Sequence, residues 1–270
     1  RSQFPNSKAG KQALFDLGRA LYENDQPAEA AKLLEEAVAA AEQLSRANLA
    51  YIAKVMIDAD KPRVALPAAE ELVRRSEDQD HEDYDALRAN GRQTALFRAA
   101  RAALGSGEYD EAAGYVDTLI EDYPKTGFFF KAMFVRADAL QNKTPPDYQG
   151  AIKALGQVTL HADDPVLSAR AALKLGQTYQ ARAGEGDLNK AVSFYQQVVL
   201  LVDPEVDGIP PILEKAIYYS AEVFTRLGNA GERRKMVRMY KQQFPNGEFA
   251  NAIDTLPPVK SAPADDTGNE

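Results

Sequence analysis

Residues 14–37 read LFDLGRALYENDQPAEAAKLLEEA, and the placing of small and apolar residues in that stretch decides the fold. Leu14, Leu17-Gly18 and Leu21 recur at helical spacing, the turn formers Asn24-Asp25-Gln26-Pro27 interrupt, and Ala30, Leu34 and Ala37 resume the same spacing. Apolar residues three and four apart mark one face of a helix. Proline sets a helical first turn, because the N–H it lacks would have no partner there. The stretch is therefore a helical hairpin, with Gly18 and Ala30 as the small residues that let its helices approach.

The register returns along the chain. Leu175-Gly176, Tyr179, Ala191, Tyr195 and Val198 repeat it with about three extra residues in the turn Ala183-Gly184-Glu185-Gly186-Asp187. Weaker copies are Ile52-Ala53, Met56, Ala65, Ala69, Leu72; Leu96, Ala99-Ala100, Ala112, Val116, Leu119; Ala137, Leu140, Ala151, Leu155, Val158; and Ala221, Phe224, Val237, Tyr240, where Arg233 takes the small-residue position. The second-helix anchors Ala30, Ala65, Ala112, Ala151, Ala191 and Arg233 are 35, 47, 39, 40 and 42 residues apart, so connections vary while helices persist. Asp60-Lys61-Pro62, Gly105-Ser106-Gly107 and Gly228-Asn229-Ala230-Gly231 are the further hairpin bends. The expected architecture is all-α, with about six hairpins over residues 1–254. Residues 255–270, rich in Pro, Ala and Asp without periodicity, are expected to be a disordered tail.

The repeat resembles the tetratricopeptide repeat, whose pattern W-x2-L-G-x2-Y, A-x3-F-x2-A it follows with aliphatic replacements. Three helix ends add a shared punctuation: Phe4-Pro5-Asn6-Ser7, Tyr123-Pro124-Lys125-Thr126 and Phe244-Pro245-Asn246-Gly247. An aromatic packs under the helix end, Pro stops the helix, and Ser7, Thr126 or Gly247 is expected to cap the next. This punctuation is similar to that of bacterial envelope proteins of the tetratricopeptide superfamily, the lipoprotein of the β-barrel assembly machinery and the Tol-Pal-associated cell-division coordinator, over residues 4–253. The resemblance implies a right-handed α-α superhelix acting as a scaffold in the periplasm or at the outer membrane. The lipidation cysteine and the N-terminal coiled coil of those relatives are missing, and the repeats run longer than usual. Because Arg1-Ser2-Gln3-Phe4-Pro5 reads as the end of a repeat, a signal, lipid anchor or further repeats are expected upstream.

Bulk properties narrow the function. With 45% hydrophobic residues over 270, the chain can bury a continuous core. A net charge of -8 argues against nucleic acid, which needs clustered Lys and Arg to displace counterions. The absence of cysteine removes disulfides, thiolate metal sites and a Cys nucleophile. The longest purely aliphatic run, residues 198–202, is too short to cross a bilayer.

Residues 76–85 carry six acids and read as a solvated connection between the second and third repeats. Asp78, Asp80, Glu82 and His81 are spaced as calcium ligands could be, yet the glycine and bidentate glutamate of an EF-hand are missing, and no metal is expected. His161 falls at a helix C-terminus. Gly184-Glu185-Gly186 and Gly105-Ser106-Gly107 follow no strand and match no phosphate loop. No nucleophile, base or cofactor motif assembles, so no catalytic residue and no cofactor is assigned. Of Phe128-Phe129-Phe130, at least one is expected to be partly exposed, because three successive helical residues cannot all face one core.

The tetratricopeptide resemblance assigns the lining of the concave face to the first helices, at their fifth, sixth and ninth positions. The fifth holds Phe15, Ala50, Phe97 and Phe134; the ninth holds Arg19, Lys54 and Arg101; Tyr51 and Arg98 stand at the sixth. Phe15, Arg19, Tyr51, Lys54, Phe97, Arg98, Arg101 and Phe134 are the candidate partner-binding residues. Aromatics interleaved with Arg and Lys suit an extended, acidic peptide. Phe15 and Tyr51 stand where the carboxylate clamp of chaperone-binding relatives wants Lys and Asn. The reading is a non-catalytic protein-binding scaffold. Two alternatives are an architectural segment of a longer solenoid and a metal-dependent sensor or enzyme.

Overall fold

The computed structural model describes residues 7–259, apart from the Asn90 side chain. Among them every regular element is helical. Two compact units meet between Asp147 and Tyr148. The first holds α1 (Lys8–Glu23), α2 (Pro27–Val38), α3 (Arg46–Asp58), α4 (Pro62–Arg75), the short α5 (Tyr84–Ala86), α6 (Arg92–Ser106), α7 (Tyr109–Asp122) and α8 (Phe129–Asn142). A π-helical turn, Leu87–Gly91, joins α5 to α6. The second holds α9 (Tyr148–His161), α10 (Pro165–Arg182), α11 (Asp187–Leu201), α12 (Pro210–Arg226), α13 (Ala230–Gln243) and α14 (Ala250–Asp254).

Within the first unit α1 pairs with α2, α3 with α4 and α6 with α7, and α4 forms the seam against α6. In the second, α10 pairs with α11 and α12 with α13. The fourth repeat read from the sequence is divided by the unit boundary, with its first helix, α8, in one unit and its second, α9, in the other.

The hairpin turns share one local chemistry. The backbone N–H groups of Gln26, Lys61, Glu108 and Asn229 donate to the carbonyls of Leu21, Met56, Ala103 and Phe224 at 3.0, 2.7, 2.9 and 2.9 Å. The residue before each donor, Asp25, Asp60, Gly107 or Gly228, has φ of 58°, 55°, 87° or 75°. This is the left-handed helix ending in which a backbone N–H reaches back to an otherwise unpaired carbonyl. Pro27 and Pro62 then open the second helices.

The small-residue positions also carry the packing expected of them. Ala30, Ala65, Ala112, Ala151 and Ala191 are fully buried. A Cβ at Gly18 would stand 2.9 Å from Leu34, and one at Gly176 would collide with the Tyr195 ring. Leu34 and Tyr195, both with no exposed surface, fill the space those glycines leave. Burial of a side chain such as Leu34 stabilises the fold by about 1.5–3 kcal/mol. Arg233, the exception, sends its guanidinium to Thr225 Oγ1 at 3.1 Å and to the Leu256 carbonyl at 2.9 Å. That bond, with Leu256 packed against the core of the second unit, engages the start of the segment read as a tail. Residues 260–270 lie outside the described residues.

Several local expectations need correction. Leu17 is 48% exposed, and Phe15, at 3%, fills the core in its place. Ser7 does cap α1, accepting from Gly10 N at 3.1 Å, while Phe4, Pro5 and Asn6 lie outside the described residues. Thr126 and Gly247 are not N-caps: α8 starts at Phe129 and α14 at Ala250. Thr126 Oγ1 instead accepts from Phe128 N at 3.3 Å inside the preceding turn.

Candidate functional site

The first helices of the first three hairpins, α1, α3 and α6, are joined side by side through their candidate residues. Asn48 Nδ2 on α3 donates to Gln12 Oε1 on α1 at 2.8 Å. Tyr51 presents its ring to the edge of Phe15 at 5.7 Å, to Tyr22 at 6.5 Å and to the Arg19 guanidinium at 5.4 Å. From the other side Arg98 Nη1, on α6, donates to the Ala50 carbonyl of α3 at 3.0 Å. The helical spacing that aligned Arg19, Tyr51 and Arg98 in the sequence thus brings them onto adjoining helices. Phe134 is half-buried on α8.

Burial sorts the aromatic members into two groups. Phe15 is buried, and so is Phe97, whose ring stacks on Phe128 at 4.7 Å. Both serve packing rather than a partner, because a first helix that must also cover the next repeat turns its bulkiest side chains inward. Tyr51 and Tyr22 keep accessible edges. Phe128, Phe129 and Phe130 are each half-buried, so the exposure expected of one is shared by all three.

The basic row is also more nearly neutral than the bare sequence suggests. Arg19 pairs with Glu23 at 2.8 Å and Lys54 with Asp58 at 3.4 Å, each one turn further along its own helix. Such i,i+4 pairs form on any exposed helix face. Arg101 is exposed and has no ion-pair partner among the described residues. Arg98 differs from all of these. It is half-buried, the one hydrogen bond of its guanidinium among the described residues goes to Ala50, and withdrawal from water lowers its pKa, with Asp58 opposing and Arg101 reinforcing that shift.

A cavity of about 320 Å³ opens at Arg98. Leu72 and Leu87 form its apolar floor, Ala50 and Ala95 leave it hollow, and Arg46 stands at its rim. Arg46 and Leu87 are site residues that no motif or spacing announces. Arg46 is the first residue of α3 and Leu87 opens the π-helical turn before α6, helix ends whose register cannot be read from periodicity. In the second unit an apolar hollow of about 310 Å³ lies between α10 and α11, with Ala169, Ala172, Val198 and Leu201 among its walls.

The acidic connection is solvated, as its composition implied, with Glu77, Asp78, Asp80, Glu82 and Asp85 exposed, and it is also anchored by two buried arginines. Arg75, only 2% exposed, donates to Glu71 at 2.7 Å, to Asp83 at 2.9 Å and to the carbonyls of Ala41, Glu42 and Leu44. Arg92, also buried, holds Ser76 Oγ at 2.7 Å, Glu77 at 3.1 Å and Asp122 at 3.1 Å. Two buried guanidiniums need acceptors, and this segment supplies Ser76, Glu77 and Asp83 among them. His81 Nδ1 accepts from Asp83 N at 3.0 Å, so its ring is engaged within the loop. No group of three or more possible metal ligands occurs among the described residues. His161 sits in the last turn of α9, where the sequence placed it.

The tetratricopeptide repeat family model matches residues 12–41 and 94–126. The first match covers α1 and α2 and the second α6 and α7, so these two hairpins are similar to tetratricopeptide repeats. No curated protein matches the chain. None of the helices is long and apolar enough to cross a membrane among the described residues.

Proposed function

We propose that this protein is a non-catalytic scaffold of tetratricopeptide type that holds a peptide segment of another protein on the joined face of α1, α3 and α6. The observation that carries the reading is the state of Arg98. A guanidinium offers five N–H donors; this one is partly withdrawn from water beside an open cavity, and one bond to Ala50 is its only hydrogen bond among the described residues. An arriving carboxylate would find charge-assisted donors there, with apolar walls for its stem. Exposed Arg101 and the edge of Tyr51 extend the contact along the neighbouring helices. The partner chemistry that fits is therefore an extended segment with acidic side chains and apolar residues between them.

The cellular setting we propose is the bacterial envelope, in the periplasm or in association with the outer membrane. The similarity of the aromatic-Pro punctuation to that of envelope scaffolds supports it.

The experiment is a titration of acidic, apolar-interrupted peptides selected on the purified protein. Replacing Arg101 with Ala should weaken the selected peptide by about 1–3 kcal/mol, the range for charge-assisted hydrogen bonds. Fold stability should hardly change, since exposed charges contribute little. Affinity should also fall with salt as exposed charges are screened. A peptide whose affinity ignored both the substitution and the salt would remove this face as the site.

A further inference from the structure

Outside the candidate site the molecule carries two patches of opposite charge, one in each unit. In the second unit α13 bears Arg233, Arg234, Lys235, Arg238 and Lys241 against one acid, Glu232, in a chain whose net charge is -8. Met236 and Tyr240 form its buried side, whereas Arg234, Lys235, Arg238 and Lys241 are exposed. Residues 234, 238 and 241 are one turn apart and share a face. Lys235 and Lys241 have local partners in Glu232 and Asp254. Arg234 and Arg238 have no ion-pair partner among the described residues.

In the first unit the connection between α4 and α6 exposes Asp80, Glu82 and Asp85, which likewise have no ion-pair partner among the described residues. This segment is held in shape by the buried Arg75 and Arg92, through Asp83, Ser76 and Glu77. Its free carboxylates are therefore presented by a fixed backbone, with little ordering left to cost on binding.

We propose that α13 of one molecule docks on the acidic connection of a second copy, head to tail. Other occupants fit the basic face less well. A membrane surface needs apolar side chains to insert, and the exposed residues of α13 are Gly231, Arg234, Lys235, Arg238, Lys241, Gln242 and Gln243. Nucleic acid would meet a molecule that is strongly acidic as a whole. The acidic connection supplies carboxylates that are exposed and unpaired. Because the two patches are different surfaces, each copy offers one of each, and the same contact can add further copies. Net repulsion between copies opposes the contact at very low salt, where charges act over about 30 Å, and loss of the local attraction opposes it at high salt, where they act over about 3 Å. Association should accordingly be strongest near about 0.1 M salt, where the screening length of about 10 Å spans a patch but not a molecule.

The test is sedimentation of the whole chain across a wide concentration range at these three salt levels. The wild type should grow in mean mass with concentration at intermediate salt and sediment as a monomer at high salt. The variant Arg234→Gln/Arg238→Gln and the variant Asp80→Asn/Glu82→Gln/Asp85→Asn should each stay monomeric, at least tenfold weaker in association. Their 1:1 mixture should stop at a pair, because only one productive contact survives between them. Circular dichroism of each variant confirms that the helices are retained. A wild type that stays monomeric at every salt and concentration, or a mixture that forms no pairs, would overturn the proposal.

Discussion

Two connections in the first unit solve the same problem by different means. Between α1 and α2 three residues suffice: Asp25 enters the left-handed region at φ 58°, Gln26 N returns to the Leu21 carbonyl, and Pro27 starts the next helix. Between α4 and α6 the chain takes a detour through α5 and a π-helical turn, and the pieces are fixed by Arg75 and Arg92 from below. The first is governed by neighbours in sequence and the second by partners far from it, such as Leu44 and Asp122. A short turn can be specified by its own residues, whereas a long connection is ordered only when tertiary contacts offset its larger conformational entropy.

The largest expected effect follows from the long connection. Replacing Arg75 with Met keeps most of the bulk but leaves Glu71 and Asp83 without their buried cation and three carbonyls without a donor. Removing one partner of a buried ion pair costs about 3–5 kcal/mol. Urea unfolding should show a loss of that order, and a loss under about 1 kcal/mol would mean that the connection is ordered by something else.

The short turns should respond less. Asn229 caps α13 by accepting from Glu232 N at 3.1 Å. Asn229→Ala should cost about 1 kcal/mol in the same assay, the usual worth of such a cap. No change would indicate that the turn at Gly228 is fixed by the backbone bond of Asn229 to Phe224 alone.

The turn between α10 and α11 combines both strategies and adds a pH dependence. Asp187 accepts two bonds from Arg182 and one from Gly184 N at 2.8 Å, and the bonds from Arg182 lead in depressing its pKa from 3.8 to about 2. A carboxyl depressed in the folded state contributes stability that is fully present above its unfolded pKa and is lost as pH falls through the folded value. Stability of the wild type should fall between about pH 4 and pH 2 more steeply than that of Asp187→Asn. Parallel curves for the two proteins would assign the acid limb to other groups.

The smallest effect belongs to an arginine next in sequence to the critical one. Arg74 also binds Glu71 at 2.7 Å, but its side chain is 52% exposed. Arg74→Ala should change stability by no more than about 1 kcal/mol, as exposed pairs do. A cost equal to that of Arg75→Met would show that exposure does not separate the two.

The same division explains what the sequence made legible. Gly18, Ala30, Gly176 and Ala191 announce the hairpins because close helix approach permits only small residues, whatever the surroundings. Arg19, Tyr51 and Arg98 could be aligned for the same reason, as they inherit their placement from the helical register. The cavity at Arg98 could not, because Leu72 and Leu87 arrive from α4 and the π-helical turn. Nor could the burial of Arg75 and Arg92, since a run of acids with nearby arginines reads alike whether it is solvated or folded inward.

The claim that Arg98 and its cavity form the anchor of a peptide site is tested most directly by closing the cavity without touching the charge. Ala50 lines the hollow, and its carbonyl, which Arg98 already uses, belongs to the backbone. Calorimetric titration of a selected acidic peptide into wild type and Ala50→Leu compares a free with a filled cavity while the arginine is retained. The account predicts that Ala50→Leu binds at least tenfold more weakly, equivalent to about 1.4 kcal/mol, with its helical content unchanged. Equal affinity of the two proteins for the peptide would contradict it.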